Sequence, residues 1–172
     1  LSGGNVPVIR VRAAVIIGTG SASYELIKSL TLNNRFIPFI PEFNSVCQPV
    51  AIRDVIKYMV GVMETPGLGT CVFQIGGKDV LTYEEMILSF ARIMNRRIRF
   101  IDVSWVPLPV DWMCRLYAYW LHCFISIPVN ITALLLSSLK TNVVCADNKI
   151  STILSFEPLD FVTSVKWAQE KE

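Results

Sequence analysis

The segment Arg12-Ala-Ala-Val-Ile-Ile-Gly-Thr-Gly-Ser-Ala-Ser23 carries an apolar, β-branched run straight into a turn of small residues, and Tyr24 to Leu32 continues at helical spacing. A strand that feeds a helix through a tight glycine turn is a building unit of α/β architecture, because a parallel partner strand can be reached only by a crossover. That one segment therefore argues against an all-helical bundle and against an antiparallel sandwich.

The rest of the chain repeats the alternation. Val6 to Ile17 reads as a mostly buried strand and Tyr24 to Leu32 as a helix with Ser21 or Ser23 as N-cap. Arg35 to Phe43 is broken by Pro38 and Pro41 and reads as a short extended segment or loop. Val46 to Ile52 is a second strand, and Asp54 sits as a cap or first-turn acid before a helix from Val55 to Met63. Cys71 to Ile75 is a third strand. Thr82-Tyr-Glu-Glu85 fits a capping box that starts a helix running to about Met94, and Ile98 to Val103 is a further strand. The tail Phe161 to Glu172 reads as an amphipathic helix with Phe161, Val165 and Ala168 on one side. Two units follow: residues 1–104, mixed strand and helix, and residues 105–172, mainly helical.

From its residues, Gly18-Thr19-Gly20 reads in two ways. Strand, Gly-x-Gly, helix is the layout of a primary dinucleotide turn, with Glu42 at a distance suited to a ribose hydroxyl. Against it, Ser23 stands where a third glycine would fall, prolines crowd the segment that would form the second strand, and Glu42 follows Pro41 instead of closing a clean strand. The other reading is turn chemistry alone, with glycines that let a strand reverse into a helix.

Composition bounds the partners. A net charge of +2, with Arg96-Arg97 the only basic block that stands out, excludes nucleic acid as a partner. Charged residues make up 17% of the chain, against about a quarter in a complete soluble domain. The deficit implies apolar surface covered by further chain, by a partner subunit such as a second copy, or by a membrane surface. The five cysteines are odd in number and form no Cys-x-x-Cys pair. They read as free buried thiols of a reducing, cytoplasmic compartment. His122 is the single histidine, so no metal site is expected. Leu1 to Pro7 lacks the basic start and apolar core of a signal peptide, and the absence of an initiator Met fits a fragment or a processed start.

Three segments taken together, Arg12 to Ser23, Cys47-Gln-Pro-Val-Ala-Ile-Arg-Asp-Val55 and Gly76-Gly-Lys-Asp-Val-Leu-Thr-Tyr-Glu-Glu-Met86, resemble in order and spacing the C-terminal half of atypical extended short-chain dehydrogenase/reductases, the NAD-dependent epimerase/dehydratase superfamily. The resemblance covers most of the chain and is strongest from Val6 to Met94. It implies an α/β fold made of the late strands of a Rossmann-like sheet plus a small C-terminal α/β substrate-binding subdomain with apolar helices. It implies NAD or NADP as cofactor and a small-molecule substrate. Ile17, Gly18, Thr19 and Gly20 would be cofactor-proximal backbone on the nicotinamide side. Ser21, Ser23, Arg35, Gln48 and Arg53 would be substrate contacts. Arg35 reads alternatively as a solvated loop residue, and Arg53 as a salt-bridged or solvent-facing one.

The resemblance also implies elements that this stretch does not show: an N-terminal Gly-x-x-Gly-x-x-Gly turn and a Tyr-x-x-x-Lys pair, in which the lysine lowers the tyrosine pKa for proton transfer. Tyr24-Glu-Leu-Ile-Lys28 matches that pair formally, but it follows the late strand instead of preceding it and reads as ordinary helix. No catalytic residue is therefore assigned. The expectation is a substrate-side part, inactive as an isolated chain, whose partner is a missing N-terminal Rossmann half. A non-catalytic binding or assembly subunit is the first alternative. The second is a membrane-associated protein acting through residues 116–139, which hold no Asp, Glu, Lys or Arg. The resemblance favours a helical cap over the sheet for that region.

Overall fold

A computed structural model of the chain describes residues 7–103, 110–122, 132, 134–136, 139, 141–145 and 149–170. The expected opening strand is two short ones, β1 (Ile9–Ala13) and β2 (Ile16–Ile17), with a bend at Ala14 and Val15 between them. They lead through the glycine turn into α1 (Ala22–Asn33). Ser21 is its N-cap: the hydroxyl accepts from the Tyr24 amide at 3.2 Å and donates to the Ile16 carbonyl at 2.8 Å. Leu26, Ile27 and Leu30, at helical spacing, form its buried face.

The proline-broken stretch becomes β3 (Phe36–Phe39) followed by a single 3-10 turn, Pro41–Asn44. Pro38 is tolerated because β3 has one paired neighbour, β8 (Arg99–Asp102), and proline is confined to such edges. The expected strand Val46 to Ile52 splits into β4 (Val46–Cys47) and β5 (Val50–Ala51) around Gln48-Pro49. Then α2 (Ile52–Glu64) begins three residues earlier than the sequence pattern suggests. β6 (Cys71–Ile75) and β7 (Leu81–Thr82) precede α3 (Tyr83–Ile93). The capping box at its start is complete: the Thr82 hydroxyl accepts from the Glu85 amide at 3.1 Å, and the Glu85 carboxylate accepts from the Thr82 amide at 2.8 Å.

Among the described residues the strands pair two by two. β1 runs parallel to β6, β2 to β5 and β3 to β8, while β4 lies antiparallel to β7. The predominance of parallel pairs follows from the helical connections. The chain closes with α4 (Val110–His122), α5 (Lys149–Ile153) and α6 (Phe161–Glu170). Phe161, Val165 and Ala168 face inward as expected, with Ser164 beside them. Between α4 and α5, Val143 forms a single parallel bridge with Cys47. Of residues 131–139 the structure describes 132, 134–136 and 139, and residues 132 and 134–136 are helical.

Apolar side chains gather in two cores. The larger joins α1, α3, α4 and α6 around Tyr24, Met86, Phe90, Leu121 and Val165, and the smaller lies under α2 around Val55, Tyr58, Val62, Phe73 and Ile75. Tyr117 and Leu121 of α4 belong to the larger core, so this part of the apolar region packs against the rest of the chain. No helix among the described residues is long and apolar enough to cross a membrane. Two apolar stripes stay uncovered. α2 exposes Ile52, Ile56, Met59 and Met63, and α4 exposes Trp112, Leu116 and Tyr119.

Candidate functional site

β2 and β5 are adjacent and parallel, and each ends where a helix begins, α1 after β2 and α2 after β5. Ligands of open α/β sheets sit in the crevice outside the carboxyl ends of such strands. A cavity of about 350 Å³ lies there, with Ile17, Gly18 and Thr19 from the first unit, Ala51, Ile52, Arg53, Ile56 and Lys57 from the second, and Ser164, Trp167 and Ala168 from α6. Its walls are mainly apolar, with a few polar groups at the rim, the usual character of a small-molecule site. The Arg53 guanidinium stands over the Trp167 ring, 4.5 Å from its centroid.

The glycine turn is closed from within. The Ser21 amide donates to the Gly18 carbonyl at 3.1 Å, the Glu25 amide to the Ser21 carbonyl at 3.0 Å, and the Gly20 amide to the Glu25 carboxylate at 3.4 Å. With the Tyr24 amide held by the Ser21 hydroxyl, four amides around the turn, those of Gly20, Ser21, Tyr24 and Glu25, already have partners within the chain. A carboxylate in the first turn of α1 opposes an anion further. Gly18 is a glycine for packing: a β-carbon there would stand 2.6 Å from Ile52 Cγ2. Gly20 is a glycine for conformation, with φ at +80°. These internal bonds leave fewer amides of the turn to hold a phosphate. Glu42 lies in the 3-10 turn and not at a strand end.

Of the residues singled out in the sequence, Ile17, Gly18, Thr19 and Arg53 line the crevice. The others stand elsewhere. Gly20 and Ser21 build the turn. Ser23 faces a small cavity of about 80 Å³ between α1 and α3. Both ends of the Gln48 amide are engaged inside the chain: Nε2 donates to the Gly77 carbonyl at 2.7 Å, and Oε1 accepts from the Cys145 amide at 3.1 Å. Gly76 and Gly77 are small so that Gln48 and the Pro49 carbonyl can pass. Arg35 lies at the start of β3 among other arginines.

Tyr24 is fully buried, with its ring 5.7 Å from that of Phe90 in an edge-to-face arrangement. Asp54 is the first-turn acid of α2 and not its cap. That position is Ala51, which makes no side-chain bond. The fully buried Asp54 carboxylate accepts instead from the Leu159 amide at 2.7 Å and from Lys57 Nζ at 3.2 Å, tying the segment before α6 to α2. Among the described residues no group of His, Cys, Asp or Glu could hold a metal ion. Sequence reasoning missed Ile52, Ile56 and Trp167 as crevice walls. The signal available for Trp167 was a large aromatic off the buried face of an amphipathic helix.

No family model matches this sequence, and no curated protein matches it. Solved structures do. The chain is similar to a triphenylmethane reductase from Citrobacter sp. (13% identity, TM-score 0.67), covering 96% of this chain and 54% of that one. It is similar to a nucleoside-diphosphate-sugar epimerase from Staphylococcus aureus (12% identity, TM-score 0.66, 94% and 53%). It is also similar to UDP-glucuronic acid 4-epimerase from Bacillus cereus in complex with UDP-glucuronic acid and NAD (15% identity, TM-score 0.60, 97% and 46%). The fold is thus the Rossmann-like α/β fold of the epimerases and short-chain reductases. The chain spans about half the length of each of these three structures.

Proposed function

We propose that this chain is the substrate-side part of an NAD(P)-dependent oxidoreductase of the epimerase/dehydratase type, its crevice taking the nicotinamide end of the cofactor beside a small-molecule substrate. The observation that carries this reading is the crevice at the shared carboxyl ends of β2 and β5, in a fold that corresponds to about half of such an enzyme. Ile17, Ile52, Ile56 and Trp167 offer apolar walls to a flat ring, and Thr19 and Arg53 offer polar contacts at its edge. When bound, the nicotinamide supplies the hydride chemistry; this chain's residues bind, orient and exclude water. The phosphates and the proton-transferring pair fall to residues outside this set, because the Gly20 and Ser21 amides are bonded within the chain and Tyr24 is buried. The uncovered stripe of α2 supports further protein packing there. The same stripe favours, as a second reading, a non-catalytic assembly subunit.

Amide and indole NMR of the chain, titrated with nicotinamide mononucleotide and separately with NADPH, tests the proposal. Expected are weak, saturable shifts in the millimolar range confined to Gly18, Thr19 and the Trp167 indole, the same for both ligands. No shift at those positions removes the crevice. Micromolar affinity for NADPH alone means that the chain binds the pyrophosphate after all. Shifts confined to the exposed residues of α2, on mixing with a partner protein, favour the assembly reading.

A further inference from the structure

Away from the crevice, three elements bring five arginines around one concavity. Arg35 precedes β3 and Arg99 opens β8. The two strands are parallel, so both arginines lie at the same edge, and the Arg99 amide donates to the Arg35 carbonyl at 3.0 Å. Arg92 stands in the last turn of α3. Asn95 then adopts φ of 52°, and the Arg96 amide turns back to the Ala91 carbonyl at 2.8 Å. This left-handed stop sends Arg96 and Arg97 to the same side as Arg35 and Arg99. The space they enclose is about 440 Å³, with Phe36, Leu88 and Ile98 as its apolar floor. A second space of about 370 Å³, also lined by Arg35, Arg96 and Arg97, adds the side chains of Asn34 and Asn95.

No carboxylate lines either space. The ion pairs Lys57 with Asp54 and Lys78 with Glu157 do not involve these arginines. The C-terminal dipole of α3 is equivalent to about half a negative charge and offsets only a fraction of five positive ones. The chain as a whole carries only +2, so this is a local concentration and not a general basicity. Every cation in it is arginine, whose planar fork binds phosphate oxygens in pairs, and lysine is absent. The volume suits a small molecule and not an extended chain.

We propose that this concavity binds a compact anion bearing several phosphate groups, free or as a lipid headgroup, at a site separate from the crevice. The proposal does not depend on the oxidoreductase reading. Its test is calorimetry of the whole chain with sodium tripolyphosphate at low and at raised salt, and flotation with phosphatidylcholine vesicles with and without a polyphosphorylated inositol lipid. Expected is saturable tripolyphosphate binding that weakens with salt. Replacing Arg96 and Arg97 together by glutamine is expected to weaken it about a hundredfold, roughly tenfold for each charge-assisted contact. Arg12→Gln, an exposed arginine on β1, should leave binding unchanged. Vesicle capture that tripolyphosphate competes away assigns the headgroup as source, and tripolyphosphate binding without capture assigns a free anion. No saturable binding, equal binding by the double variant, or tighter binding to a short DNA duplex than to tripolyphosphate overturns the proposal. Unchanged circular dichroism of the double variant separates lost binding from lost fold.

Discussion

Arg53 and Trp167 meet across the mouth of the crevice, the guanidinium 4.5 Å from the centroid of the indole. One belongs to the first turn of α2 and the other to the last turns of α6, so their contact joins the two helices that frame the candidate site. Both side chains are exposed, which places the pair in the weak class of cation–π contacts, about 0.5–1 kcal/mol.

A double-mutant cycle on urea stability, with Arg53→Gln, Trp167→Ala and the pair, should return a coupling of about 0.5–1 kcal/mol. Trp167→Ala alone should cost more than Arg53→Gln, because it also removes apolar wall from the crevice. Additive effects, with no coupling, would mean that the two side chains are merely neighbours. Trp167→Ala should also abolish the weak shift of nicotinamide mononucleotide at Gly18 and Thr19.

Gly18 and Ile52 make a second pairing at the same place. A β-carbon on residue 18 would come within 2.6 Å of Ile52 Cγ2 and 2.9 Å of its Cβ. The branch at Cβ leaves that side chain little room to yield. Gly18→Ala should therefore destabilise the chain by about 1–3 kcal/mol, the usual cost of overpacking. Combining it with Ile52→Ala should recover most of the loss. A double variant less stable than the sum of the single ones would show that the glycine is needed for something other than Ile52.

What was legible in the sequence was what neighbours in the chain decide. Ser21 as a cap, the Thr82 and Glu85 box, and the strand Cys71–Ile75 depend on residues a few positions apart. Periodicity shows which residues turn inward but not which elements they meet. Asp54 illustrates this: the spacing marked an acid at a helix start, while its carboxylate bonds the amide of Leu159, 105 residues away. Gln48 likewise reads as a cleft residue until Gly77 and Cys145 are seen to occupy its amide. Arg35 joins Arg96, Arg97 and Arg99 only because β3 and β8 pair in parallel. Pro38, which argued against a strand, is accommodated at an edge. The resemblance named Ile17, Gly18, Thr19 and Gly20, but the closing wall from α6 is brought in by distant contacts, the Leu159 amide on Asp54 and the Phe161 amide on Asp79.

That tie can be tested directly. Asp54→Ala removes the acceptor for a buried-side amide and leaves Lys57, itself partly exposed, to water. The cost should be about 1–3 kcal/mol, that of an unsatisfied donor. Asp54→Asn keeps an oxygen for Leu159 and should lose less. The alanine variant should also become sensitive to proteolysis between Phe156 and Asp160, and nicking at that segment should precede global unfolding. Equal protease resistance in both variants would show that the segment is anchored by other contacts.

Cys47 sets a pH dependence. Its side chain is fully buried, and burial pushes the thiol up to about 12, against a hydrogen bond with Tyr83 that acts the other way. Burial also raises the hydroxyls of Tyr83 and Tyr117. In the unfolded chain the thiol ionises near its ordinary value of 9.0, while the folded chain keeps the proton until about 12. Between these values the folded state binds more protons than the unfolded one, so stability falls as pH rises. The contribution is fully present below about 9 and is lost towards 12. Urea midpoints measured across that window should decline steadily, and Cys47→Ala should flatten the lower part of the decline while the tyrosines maintain the upper part. At neutral pH a thiol reagent should modify the half-buried Cys71 and Cys145 first and reach Cys47 only in denaturant. Rapid native labelling of Cys47, or midpoints that rise with pH, would contradict the burial on which this reading rests.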